Sequence, residues 1–352
     1  MSETMKALVY HGPNNYGLED VPMPRLQKDT DAIGRVTLST ICTSDVHIVG
    51  GHIPIVKPGR ILGHEFCVEL VEVGSAVKGF KVGDHAHVAP LSYCGTCAQC
   101  RVGRVGYCEN GGGFGIIQNG CQAEYLRIPD ANSCLIPIPE GLTERDVLLL
   151  GDMMATGWFG IKNAHVQEGQ TVAVVGVGPV GLSTCALLKK AFKARVIAMD
   201  LIPARVDLAV KNGVADEGVY VDPNDPLNTK KVMALTGGRG VDAVIETGGT
   251  SDSLNLSLAI PRYEGVVSLL SVFAAPITVP MQEVYKKNLE IRMGVQKCEG
   301  IPEMLKLIAT GVVDTKFILT HESPLNDIMK GYEVFGKKQD GCVKWVITPY
   351  VR

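Results

Sequence analysis

The chain has 352 residues, 46% apolar and 20% charged, the make-up of a soluble globular protein long enough for two domains. A formal net charge of −3 gives no electrostatic footing for nucleic acid or an acidic membrane. The opening residues, Met1-Ser2-Glu3-Thr4-Met5-Lys6, lack the basic-then-apolar order of a secretory signal. Eleven cysteines without such a signal point to a reducing, cytoplasmic setting.

From the N-terminus, Lys6–Tyr10, Arg35–Ile41, Cys67–Val73 and His85–Ala89 are apolar or alternating runs bounded by Gly, Pro or Asp, and they predict short strands. Residues 1–153 therefore read as a partly open β-barrel with irregular loops. Within it, Cys94, Cys97, Cys100 and Cys108 are spaced C-x2-C-x2-C-x7-C. Four thiolates so close suit one tetrahedral zinc, and a closed all-sulfur site is structural rather than catalytic. A disulfide pair is disfavoured by the reducing setting. An iron–sulfur run would have a short last gap and a following proline, whereas Glu109 follows Cys108 here.

The pattern changes after residue 153. Thr171–Val175 is a short Val-rich run of the kind found in buried parallel strands, and a helix is predicted over Val180–Phe192. Arg195–Met199, Val241–Glu246 and Gly265–Leu270 predict further strands. Ala204–Asn212 predicts a helix stopped by Gly213. The apolar stretch Thr171 to Leu188 imitates a membrane span, but its glycines and Pro179 fit a strand, a tight turn and a helix start better. Alternating strands and helices over 154–296 imply a doubly wound parallel sheet, an α/β fold. From 297 the character is mixed, with a helix at Glu303–Thr310 and a strand at Val343–Thr348, so 297–352 is expected to complete the first domain.

Gly176-Val177-Gly178-Pro179-Val180-Gly181 is a G-x-G-x-x-G run between a predicted strand and a predicted helix, the context a dinucleotide-binding turn requires. The first glycine allows the turn, the second the approach of the pyrophosphate, and the third the packing of helix on sheet. The helix N-terminus adds amide donors and partial positive charge. Asp200 ends the next predicted strand, where a carboxylate accepts from ribose hydroxyls and repels a 2′-phosphate, so NAD is expected over NADP. Arg205 is the one nearby cation in sequence that could reach a phosphate.

Three further segments hold zinc-ligand types: Cys42-Thr43-Ser44-Asp45-Val46-His47, Gly63-His64-Glu65 and Gly151-Asp152-Met153-Met154-Ala155-Thr156-Gly157. Spacing alone does not join residues 42, 64 and 152. With the four-cysteine lobe, the GVGPVG turn and Asp200, however, the whole chain resembles the zinc-dependent medium-chain alcohol dehydrogenases, and within them the bacterial-type secondary alcohol dehydrogenases. The resemblance implies a GroES-like catalytic domain beside a Rossmann domain, NAD as cofactor, and two zinc ions per chain, one catalytic and one structural. It assigns Cys42, His64 and Asp152 to the catalytic zinc, with Glu65 beside it as an exchangeable ligand. Thr156 would contact the nicotinamide and Lys344 the pyrophosphate. Ser44 and His47 would relay the alcohol proton, and Gly112 and Phe114 would border the substrate cleft. Many family members have cysteine where this chain has Asp152, and a carboxylate leaves zinc more electrophilic.

The implied reaction is hydride transfer between a secondary alcohol or ketone, with room for a bulky one, and NAD(H), in a homo-oligomer, a tetramer favoured over a dimer. The four-cysteine lobe and Asp200 depart from several short secondary alcohol dehydrogenases, which keeps polyol and threonine dehydrogenases open. A non-catalytic cofactor-binding protein is the reading from another class, and the intact Cys42, His64 and Asp152 argue against it.

Overall fold

Ala32–Ile41 and Phe66–Val73, both largely buried, pair antiparallel at the centre of a mixed sheet. The computed structural model describes residues 3–225 and 227–349. Across the sheet the order is Leu135–Pro137, His85–Val88, Phe66–Val73, Ala32–Ile41, Lys344–Thr348 and Leu319–Pro324. Tyr125–Ile128 also pairs with Ala32–Ile41. A smaller sheet joins Thr4–Gly12 to Asn15–Pro22 and Arg60–Ile61. Leu8, Ile41, Ile48, Leu62 and Trp345 pack in one core cluster of this unit, and burying each such side chain is worth about 1.5–3 kcal/mol.

The second unit is a six-stranded, all-parallel sheet. Counted in chain order, its strands lie 3-2-1-4-5-6, the doubly wound arrangement expected from the sequence. The first strand, Thr171–Val175, is buried at every position, and helix Pro179–Lys190 starts directly after the glycine turn with proline in its first turn. Two glycines there are sterically required. Gly176 has φ +93°, and a Cβ at Gly181 would lie 2.1 Å from the Gly176 carbonyl oxygen.

The units comprise Met1–Asp152 with Leu319–Arg352, and Met153–Ile318. The chain thus re-enters the first unit at Leu319, not at 297. Residues 297–318, including helix Ile301–Ala309, cluster with the parallel-sheet unit. The return point is set by strand Leu319–Pro324, which pairs parallel with Lys344–Thr348 and carries no strong strand signature of its own. Among the described residues no helix is long and apolar enough to cross a membrane.

Candidate active site

Strand Ala32–Ile41 delivers Cys42 to the N-cap of helix Thr43–Val49, where the Asp45 carboxylate accepts the Cys42 amide N–H at 2.9 Å. His64 lies between Arg60–Ile61 and Phe66–Val73, after Gly63 at φ +93°. Asp152 sits in a π-helical turn, Leu150–Met154, an irregularity that recurs at functional sites because it re-aims a side chain. The three meet: Asp152 Oδ2 is 3.7 Å from Cys42 Sγ and 3.5 Å from His64 Nε2. A tetrahedral zinc with arms of about 2.0–2.3 Å has ligand–ligand edges of about 3.3–3.8 Å. The donor set, one thiolate, one imidazole and one carboxylate, fits zinc with a fourth position open.

Anionic groups crowd this point. Burial works against a charged His64, yet Asp45, Cys42 and Asp152 outweigh it and raise its pKa well above the ordinary histidine value. Burial also opposes ionisation of Asp152, but His64, Lys344 and Cys42 hold it below the usual carboxylate range. The site therefore favours positive charge, from a proton or from a metal. Glu65 Oε2 is paired with Lys344 Nζ and accepts from Thr40 Oγ1, while its buried Oε1 has no hydrogen-bond partner among the described residues. Lys344, expected at the pyrophosphate, is instead wholly buried against Glu65. An ammonium at that depth needs an adjacent anion: burial lowers its pKa, and Glu65, then Cys42, more than restore it.

Ser44 Oγ lies 3.2 Å from His64 Nε2, on the metal-facing side of the ring. His47 follows one helical turn later and is half-buried. Its Nδ1 is 3.4 Å from Nδ1 of exposed His52, a residue sequence reasoning missed; a signal for it was its position five residues past His47, just beyond the helix end. Burial, then repulsion by His52, lowers the His47 pKa.

The four cysteines also converge. Cys108 Sγ is 3.5 Å from Cys94 Sγ and 4.0 Å from Cys97 Sγ, and all four sulfurs lie within 4.8 Å of one another. The Thr96 amide and hydroxyl and the Asn110 side chain pull the Cys94 thiol down to about 5. Burial and hydrogen bonds with Cys97 and Cys108 push Cys100 up to about 12. The lobe readily ionises some thiols but not all four without a cation, and its edges match a tetrahedral sulfur site.

In the other unit, Asp200 Oδ2 accepts the Val177 amide at 2.8 Å and Oδ1 the Ile202 amide at 2.8 Å. The carboxylate is thus fixed over the Gly176–Gly181 turn with further lone pairs to offer. The Arg205 guanidinium approaches Gly178, 3.5 Å from where a Cβ would stand. Thr156 lies half-buried on helix Ala155–Asn163. The expected substrate-cleft residues fit less well. Phe114 is fully buried, its ring edge-on to Phe66 at 5.4 Å, because the barrel core offers it an aromatic partner. Gly112 has φ +145° and its Cβ direction is closed by Ile117 at 2.9 Å, so it answers to backbone geometry rather than to an open cleft.

Two family models match the chain: the alcohol dehydrogenase GroES-like domain over residues 28–140 and the zinc-binding dehydrogenase over 179–310. An alcohol dehydrogenase of Cupriavidus necator is 35% identical over 99% of this chain and 100% of its own length. An L-threonine 3-dehydrogenase of Bacillus licheniformis is 34% identical, with 99% and 100% covered. Among solved structures, a zinc-binding dehydrogenase from Sinorhizobium meliloti bound to NADP superposes with a TM-score of 0.86 at 27% identity, covering 99% of this chain and 100% of that one.

Proposed function

We infer, for a chain that belongs to the zinc-dependent medium-chain alcohol dehydrogenase family, that it transfers a hydride between NAD(H) and a secondary alcohol or ketone at the Cys42–His64–Asp152 cluster. The observation that carries this reading is the meeting of these three side chains with one coordination position left over. A zinc ion held there would supply Lewis acidity, lowering the pKa of an alcohol oxygen or polarising a carbonyl. Ser44, its hydroxyl 3.2 Å from His64 Nε2, accepts the alcohol proton. His47, held neutral further into acid by its lowered pKa, takes the proton onward, and His52 gives it an exit to solvent. Lys344 holds Glu65 beside the ligands, with Oε1 available as an exchangeable contact.

Asp200 supports NAD: its fixed carboxylate accepts from ribose hydroxyls and opposes a 2′-phosphate. Thr156 borders the nicotinamide in this reading, and the second zinc belongs to Cys94, Cys97, Cys100 and Cys108. Arg205, close to Gly178, is the group that would favour NADP. A threonine or polyol substrate is the second reading, favoured by the likeness to L-threonine 3-dehydrogenase. Self-association runs through the open edge strand Glu290–Met293, with exposed Ile291, Met293 and Val295, in a cytoplasmic homo-oligomer. The deciding experiment measures NADH- and NADPH-linked turnover on a panel of ketones, secondary alcohols, diols and threonine, for the native chain and for Asp152→Ala. The proposal fails if Asp152→Ala turns over at the native rate with full metal content.

A further inference from the structure

Gln122 is fully buried, and its amide has a single orientation compatible with its neighbours. Its nitrogen is 3.1 Å from the Thr40 carbonyl oxygen and 3.1 Å from Asp45 Oδ2, both acceptors. Gln122 Oε1 must therefore face the Tyr332 hydroxyl, which donates to it at 2.7 Å. Tyr332, on helix Ile328–Gly336, is buried in the same core cluster as Ile48 and Leu62. Asp45 Oδ2 is then occupied by two donors, Gln122 and the Cys42 amide, and Oδ1 is left opposite His64 Nδ1 at 3.4 Å. With Nε2 ligating a metal, the remaining ring proton would sit on Nδ1, facing Asp45 Oδ1, while Nε2 faces Cys42 and Asp152.

We propose that Gln122 and Tyr332 are positioning residues for the metal. They hold the Asp45 carboxylate, and through it the ring angle of His64, so the C-terminal helix Ile328–Gly336 is tied by hydrogen bonds to Asp45, whose Oδ1 faces His64 Nδ1 at ion-pair distance, 3.4 Å. The inference rests on the reading of Cys42, His64 and Asp152 as metal ligands. Buried chains of this kind are cooperative, and outer partners of a ligating histidine change metal affinity by about 10–100-fold when removed.

The test uses the full chain loaded with zinc and, separately, with cobalt(II). Tyr332→Phe removes one oxygen from the network, and Gln122→Met replaces the amide at similar volume. The rate of metal release to a chelator and the cobalt absorption bands are measured for each, with far-UV circular dichroism as the check on folding. The difference spectrum between native protein and Asp152→Ala isolates the band of the Cys42–His64–Asp152 site. The expected result is a shift of that band in both variants and release from that site faster by at least about threefold in Tyr332→Phe, with a larger effect in Gln122→Met. Folded variants with native band and native release rate overturn the proposal while leaving the metal reading intact. An Asp152→Ala spectrum identical to the native one instead removes the metal reading, and the proposal with it.

Discussion

The imidazole of His87 is enclosed in the first unit, and burial pushes its pKa down to about 3. Its Nδ1 lies 3.8 Å from Cys67 Sγ, and its Nε2 has no hydrogen-bond partner among the described residues. The unfolded chain takes up this proton near the ordinary value of about 6.5, and the folded chain near 3. Its contribution is therefore complete above about pH 6.5 and is lost as pH falls toward 3, at up to about 1.4 kcal/mol per pH unit. Urea unfolding of His87→Leu between pH 6.5 and 5 should show a shallower loss of stability than the native chain; equal slopes would refute a buried neutral imidazole. His47 has the same sign of shift from burial and from His52. If it accepts the alcohol proton, the acid limb of kcat/KM for oxidation lies below the ordinary histidine value, and His52→Ala moves that limb upward. At Asp200, the two amide-fixed oxygens should give NAD at least about tenfold preference over NADP, equivalent to about 1.4 kcal/mol. Asp200→Gly should narrow that gap, and equal kcat/KM for both cofactors in the native enzyme would count against the assignment.

At the scale of elements, two short irregular segments carry residues proposed as metal ligands. The π turn Leu150–Met154 aims Asp152 at Cys42 and His64, where the register of a regular helix would carry it elsewhere. The lobe from Cys94 to Cys108 contains little besides a four-residue helix, Ala98–Arg101, and one 3-10 turn, Val105–Tyr107, so its order depends on the sulfurs being held together. Cys94→Ser should remove one of two zinc equivalents and lower the melting midpoint by about 5 °C, since a closed metal site contributes folding energy directly. Metal analysis with a thermal melt checks both; a native zinc content in the variant would show that the lobe is not a metal site.

On the scale of the whole molecule, Glu290–Met293 is the edge of its sheet among the described residues, beside exposed Ile291, Met293 and Val295, an arrangement that invites pairing with a second copy. If the chain self-associates through this edge as proposed, Met293→Glu with Val295→Asp should shift it toward single chains in sedimentation, while an unchanged sedimentation profile would count against this interface. That edge strand was not legible in the sequence, and neither were Asn15–Pro22, Glu217–Tyr220 and Leu319–Pro324, because their polar or mixed side chains are acceptable only once a partner strand is in place. What the amino-acid order determined by itself was local. The strand, glycine turn and helix over Thr171–Lys190 and the cluster of four cysteines are each written within about twenty residues, and short-range sterics and ligand spacing suffice to specify them. The tertiary structure alone brought Cys42, His64 and Asp152 together, buried Lys344 against Glu65, took Phe114 into the core and joined Tyr332 to Gln122 across 210 residues of chain. Those contacts follow from how strands close into sheets, and a closure that spans most of the chain leaves no periodicity or spacing in the sequence to reveal it.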